Sequence, residues 1–254
     1  MTPRKSTLYG ILKRFVPRRL EAAIGASSAL QPIRDRFFRP MGVPEIVEGL
    51  VSWEDLQFHY AAPLQPLYKA QHYGVENGIC RIARAVLHDG DVALDVGANY
   101  GFITMVMGKS VQPRGRVLSF EVDSQICGVL ARTLEANNLS ETVCAVAKKI
   151  GSEDSGDCVT LDSIVIEYQL GGVRFIKIDV DGEDFGVLSG ARKTLNAFHP
   201  VVVVEMMRQQ KEICELLVAC GYSQFRDQSN REVLPNEWPL NLVASIEPIV
   251  MPVR

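Results

Sequence analysis

The 254-residue sequence predicts an α/β fold, a mostly parallel sheet with helices on both faces. Three observations predict it. From Val92 onward, short apolar runs of strand length alternate with segments of helical period. Several of those runs end on an acid or run into a glycine loop, as strands do where a parallel sheet meets a ligand. Hydrophobic residues make up 47% and charged residues 22%, which supports a packed core and argues against global disorder.

Taken in order, residues 1–40 read as a basic appendage. Leu8, Ile11, Leu12, Phe15 and Val16 recur at helical spacing among Lys13, Arg14, Arg18 and Arg19, and Pro17 ends or kinks any helix there. This segment carries nine basic and two acidic groups, against 18 and 28 in the rest. Its net +7 suits a surface contact with anionic lipid or a partner protein, and equally a solvated helix packed on the body. Residues 41–90 form a second segment, read as a helical cap on the substrate side. It is mixed up to residue 73, where Pro44, Pro63 and Pro66 break regular structure. An amphipathic helix follows over 74–89, with Ile79, Ile82, Ala83, Val86 and Leu87 on one face.

Residues 91–254 form the strand–helix domain. Val92–Val96 is a buried parallel strand, 101–110 a helix, and Arg116–Phe120 a second strand ending at Glu121. A helix spans 124–138 and a third strand 142–147; Leu161–Tyr168 is a short helix. Val173–Ile178 is a fourth strand, ending at Asp179. One helix covers 183–197, Val201–Val204 is the fifth strand, and a helix over 207–220 stops at Gly221. Tyr222–Phe225 and Leu242–Ile246 supply two further strands.

Composition narrows the function. The acidic body lacks the basic face that nucleic-acid binding needs. No apolar run reaches the ~20 residues of a spanning helix, and the first residues lack a secretory apolar core, so a cytoplasmic protein, with surface membrane contact through residues 1–40, is expected. The six cysteines and four histidines make no metal-ligand spacing, and no metal is expected.

Three stretches carry chemistry. Asp95-Val96-Gly97-Ala98-Asn99-Tyr100-Gly101 follows a strand and opens a helix. Its G-x-x-x-G spacing differs from the G-x-G-x-x-G that sets a helix against a pyrophosphate, which favours a ligand without one. Gly97 lets backbone pass close under a ligand, Gly101 lets the helix pack tightly on the strand, and Asp95 can pair with a ligand ammonium. Glu121 ends the next strand, where a carboxylate accepts both hydroxyls of a ribose. Lys177-Ile178-Asp179-Val180-Asp181-Gly182-Glu183-Asp184 crowds acids at the end of the fourth strand, with Asp181 able to cap the following helix and Glu183 and Asp184 suited to its first turn.

The order DVGANYG, FE, TLDSI, IKIDVDGEDFGVLSGARKTL, PVVVVE resembles the FkbM-type methyltransferases across roughly residues 55–225. The resemblance implies a Rossmann-like class I methyltransferase fold, S-adenosyl-L-methionine as cofactor, and O-methylation of a hydroxyl on a sugar, glycan or related small molecule. It implies that Asp95, Gly97, Ala98, Asn99 and Gly101 line the methionine part, that Glu121 holds the ribose, and that Asp179 sits near the reactive methyl with Lys177 behind it. Glu76 and Tyr73 match a family helix lying over the cofactor. The chain departs from the family in having Asp181 where a glutamate is usual and Val122 where a proline is usual. The stretch from Leu139 to Leu161 is also short, its extra strands replaced by Gly151–Gly156.

An alcohol acceptor loses a proton on methylation, so a nearby base helps; Asp179, Glu183 and His72 are the candidates, in that order. Three other readings share features of the sequence. A nicotinamide oxidoreductase would share Glu121 but lacks its glycine fingerprint here. The others are a methyltransferase of protein or nucleic acid, and a methyltransferase fold used only for binding.

Overall fold

The computed structural model describes residues 45–234 and 237–252. The expected appendage, residues 1–40, and Pro44 lie outside the described residues.

Seven strands form the central sheet. In chain order they are β3 (Val92–Val96), β4 (Arg116–Phe120), β5 (Val143–Val146), β8 (Phe175–Ile178), β9 (Val201–Glu205), β10 (Gln224–Asp227) and β11 (Asn241–Ser245). Their spatial order is β10-β11-β9-β8-β3-β4-β5. All neighbours from β5 to β9 run parallel, and β11 is antiparallel to both β9 and β10. The chain winds outward from β3 to β5, then returns to β3's other side with β8. That reversal puts the carboxyl ends of β3 and β8 side by side at a topological switch point, where ligands of such sheets bind.

Strand alternation divides the core. Ala93, Val117, Phe175, Val203 and Val243 face one layer with α2 (Asn77–Val86), α3 (Phe102–Val111) and α4 (Ser124–Ala136). Leu94, Leu118, Ile176, Val202 and Leu242 face the other, with α5 (Leu161–Glu167), α6 (Asp184–Ser189), α7 (Arg192–Phe198) and α8 (Gln210–Ala219). The parallel strands are buried on both faces, which is why they read as continuous apolar runs.

Three elements differ from the sequence reading. Residues 46–73 are regular where prolines suggested breaks: an antiparallel hairpin of β1 (Ile46–Trp53) and β2 (Leu56–Pro63) leads into α1 (Leu64–Tyr73). Val51, Trp53, Phe58, Tyr60 and Ala62 alternate into the core. Pro63 caps α1 and Pro66 lies in its first turn, where a helix has no use for the missing N–H. The helix expected over 183–197 is two, α6 and α7, parted at Gly190-Ala191. A β-carbon at Gly190 would lie 2.1 Å from the Gly151 carbonyl oxygen, so this point of the chain is pressed against the neighbouring loop. The short 139–161 region holds a two-residue parallel ladder, β6 (Lys149–Ile150) with β7 (Cys158–Val159). Asp154 there accepts hydrogen bonds from the Thr160 N–H and the Ser163 hydroxyl. No helix among the described residues is long and apolar enough to cross a membrane.

Candidate active site

The loop leaving β3 is shaped by its neighbours. The N–H groups of Gly97 and Ala98 both donate to the Phe120 carbonyl at 3.0 Å, tying the loop to the end of β4. Gly97 has φ +77°, and a β-carbon there would lie 1.8 Å from the Asp179 carbonyl oxygen. The glycine is therefore required by the adjoining strand end itself, before any ligand arrives. Gly101, at φ +83°, opens α3, and a β-carbon there would meet Leu130 of α4 at 2.2 Å, so the tight packing it permits is against a helix rather than the strand. Asn99 is left-handed at φ 51°; its N–H donates to Glu121 Oε2 at 2.9 Å, and its side-chain oxygen accepts the Tyr100 N–H.

Register brings the polar groups of three strands into rows. Asp95 pairs with Lys177 across β3 and β8, and Lys177 with Val203 across β8 and β9. All three lie on one face, and one pleat further along that face come Gly97, Asp179 and Glu205. Lys177 is 4% exposed; its Nζ donates to the Gly97 carbonyl at 2.8 Å and lies 3.5 Å from Asp95 Oδ1 and 3.4 Å from Asp179 Oδ2. Burial alone would lower the lysine pKa, but the carboxylates of Asp95, Asp179 and Glu76 outweigh it and raise the ammonium above its ordinary value. Asp95 is fully buried, with Oδ2 accepting the Thr104 hydroxyl at 2.6 Å and Oδ1 without a hydrogen-bond partner. Within the chain, the ammonium that Asp95 faces is that of Lys177.

Glu121 lies at the end of β4 with one backbone N–H on each oxygen: Asn99 on Oε2 and Asp123 on Oε1 at 3.0 Å. This fixes the carboxylate in place and leaves lone pairs for further donors. Glu76, left-handed at φ 46° ahead of α2, is half-buried, and burial raises its carboxyl pKa; Lys177 opposes that rise, while Asp179 and Asp95 add to it. It therefore stands near Lys177, Asp179 and Asp95. Tyr73 is 69% exposed, its ring grouped with those of Tyr68 and His72 on α1, the last pair 4.2 Å apart between Tyr68 and His72.

The acidic loop resolves into separate parts. Asp184 is buried and accepts the N–H groups of Val180 and Gly182, both at 3.1 Å, so it clamps the turn in which Asp181 (φ 52°) and Gly182 (φ 89°) are left-handed. Glu183, rather than Asp181, stands at the cap position of α6; it is exposed and makes no side-chain capping hydrogen bond. Among the described residues no group of His, Cys, Asp or Glu is arranged to hold a metal ion.

Glu205 has no role in the sequence reading, yet it ends β9 beside Asp179. Burial, the Asp179 and Asp184 carboxylates, a hydrogen bond with Asp179 and the nearby Asp181 push its pKa up to about 7. Its signal was present in the sequence: Glu121, Asp179 and Glu205 are each an acid closing an apolar run.

Residues 147–223 match the family model of the methyltransferase FkbM domain. No curated protein matches the sequence. A protein from Clostridium thermocellum described as a candidate rRNA methylase superposes with a TM-score of 0.50 at 13% identity, over 68% of this chain and 95% of its own. An FkbM methyltransferase from Methylobacillus flagellatus gives 0.47 at 17% identity, over 63% of this chain and 47% of its own. An O-methyltransferase from Bacillus cereus gives 0.47 at 15% identity, over 72% and 87%. At 13% identity the first of these superpositions speaks for the fold alone. Residues 147–223 are thus similar to the methyltransferase FkbM domain, and the sheet order and switch-point loop are those of the class I methyltransferase fold.

Proposed function

We propose that the protein transfers a methyl group from S-adenosyl-L-methionine to a hydroxyl of a sugar, glycan or related small molecule. The observation that carries the reading is the pairing of the left-handed Gly97–Gly101 loop with the fixed Glu121 carboxylate at the switch point. The residues present fit the cofactor. The loop offers backbone without intruding side chains at Gly97, and Ala98, Asn99 and Gly101 complete its wall. Glu121 is placed as a two-oxygen acceptor for a ribose. Asp95 acts through Lys177, which holds the Gly97 carbonyl, and Glu76 and Tyr73 lie on the segment that would cover the ligand. When bound, the cofactor supplies an electrophilic methyl on a sulfonium.

Within this site Asp179 is the proposed proton acceptor. Its carboxylate is about one-third exposed, at 31%, and Lys177 holds one oxygen from behind. Glu183 is the second candidate; its exposed position ahead of α6 suits it less. The His72 ring lies on α1, 4.2 Å from that of Tyr68 and tilted to it by 51°. The acidic body favours a small or neutral acceptor over nucleic acid. Residues 1–40, with their net +7, are the proposed contact with an anionic membrane surface. A methyl-transfer screen with labelled S-adenosyl-L-methionine tests the reading. Glycans and lipid-linked sugars form one arm, and RNA and protein the others. Label in the sugar arm supports the proposal, and label confined to RNA or protein sinks the acceptor class.

A further inference from the structure

The carboxyl ends of β8 and β9 carry two acids side by side. The register Ile178 with Val204 makes Asp179 and Glu205 the next neighbours on these parallel strands, with their side chains on the same face of the sheet. Two carboxyls so placed hydrogen-bond to one another only when they share a proton, and otherwise repel. The charges around the pair decide where the proton sits. From β8, the Lys177 ammonium reaches Asp179 and Asp95. From α6 and its preceding turn, Asp184 and Asp181 bear on Glu205 as negative charges. From β11, the register partner of Glu205 is the neutral Asn241. Arg208, in the connection to α8, lies over Gly182, 3.1 Å from where a β-carbon would be. Ahead of α2, Glu76 adds a negative charge on the Asp179 side. Of the two acids it is Asp179 that Lys177 reaches, at 3.4 Å, so the proton is held on Glu205.

We propose that Asp179 and Glu205 act as one proton-sharing pair, and that this pair, rather than Asp179 alone, receives the proton of the acceptor hydroxyl. The inference rests on the methyl-transfer reading above. As the acceptor's O–H bond breaks, its oxygen forms the new O–C bond. The S–C bond breaks with its electron pair left on sulfur, and the proton passes to the pair and then to water. The upward displacement of Glu205 to about 7 gives the pair a base strength suited to work near neutral pH. As pH rises the shared proton leaves and the pair gains a negative charge, which favours a sulfonium over the uncharged thioether of the product.

Two measurements on the full chain test this without an acceptor. The first is a carbon-13 carboxyl NMR titration, with the Glu205 signal identified by its loss in Glu205→Gln. A midpoint near 7 that falls back toward the ordinary carboxyl range in Asp179→Asn is expected. A wild-type Glu205 midpoint in the ordinary range overturns the pairing, and it does so even if the variant fails to fold. The second is calorimetry with S-adenosyl-L-methionine and S-adenosyl-L-homocysteine from about pH 5.5 to 8.5. The affinity ratio should rise several-fold in favour of the sulfonium in wild type and stay flat in Glu205→Gln. A flat ratio in wild type overturns the placement of the pair at the methyl centre. Binding of neither ligand sinks the methyl-transfer reading, while the titration still decides whether the carboxyls share a proton.

Discussion

Lys177 Nζ donates a 2.8 Å hydrogen bond to the carbonyl of Gly97, joining the fourth parallel strand of the chain to the loop that leaves the first. The same ammonium faces Asp95, whose Oδ1 is buried with no hydrogen-bond partner. One buried cation thus holds the loop and offsets a buried anion. Lys177→Met removes both functions and leaves Asp95 uncompensated. Breaking a buried pair in this way costs about 3–5 kcal/mol, and the double variant with Asp95→Asn should recover part of it. Urea unfolding checks the order. A Lys177→Met loss of less than about 1 kcal/mol, the size of a surface pair, would contradict the structural role.

Gly97→Ala should be costly before any ligand is added. The new β-carbon would sit 1.8 Å from the Asp179 carbonyl oxygen, at a backbone φ of +77°. Strain and displacement together should destabilise the fold by about 2–4 kcal/mol. Thermal melting of the ligand-free protein reads this directly; an unchanged melt would mean that the β8 end moves aside freely.

Glu205 links stability to pH. Its pKa is raised from 4.5 to about 7 in the folded protein, so the native state binds more protons than the unfolded chain between those values. The group's favourable contribution is fully present below about 4.5 and is lost as pH rises through 7. Glu205→Gln should therefore raise the melting temperature more at pH 8 than at pH 5. Each kcal/mol relieved corresponds to about 2–4 °C for a domain of this size. Equal shifts at the two pH values would contradict the ionisation cost.

The sheet was legible because parallel strands bury both faces and each reads as an apolar run. Val92–Val96, Arg116–Phe120 and Val201–Glu205 follow the sequence reading closely. The β1–β2 hairpin was hidden because Pro63 and Pro66 signal breaks, whereas both stand at a helix start that tolerates them. The split of 183–197 was hidden because Gly190 is set by contact with Gly151, a partner 39 positions away that no local pattern reveals. In the candidate site, Glu121, Lys177 and Asp179 were visible as strand-end chemistry. Glu205 was passed over because its neighbour is Asp179 across a strand pair, and only register places the two together.

Asp179→Asn separates two roles for the strand-end acid. As proton acceptor, its loss should lower kcat by about 10²–10⁴ with cofactor affinity nearly unchanged. As an orienting group, its loss should weaken affinity and spare kcat at saturation. Glu183→Gln is the matched control and should be nearly silent. An inactive Glu183→Gln beside an active Asp179→Asn would reverse the assignment and put the base ahead of the helix.

The central claim is that the loop after β3 and the acid after β4 hold S-adenosyl-L-methionine, and calorimetric titration of that ligand into the full chain tests it most directly. Binding in the micromolar range is expected, about −8 kcal/mol at 1 μM. Glu121→Ala should weaken it by about 1–3 kcal/mol, since the carboxylate is both the ribose acceptor and the anchor of the Asn99 N–H. Nicotinamide dinucleotides titrated in parallel should give no heat. Binding that is unchanged in Glu121→Ala, or a nicotinamide dinucleotide that binds where S-adenosyl-L-methionine does not, would contradict the account.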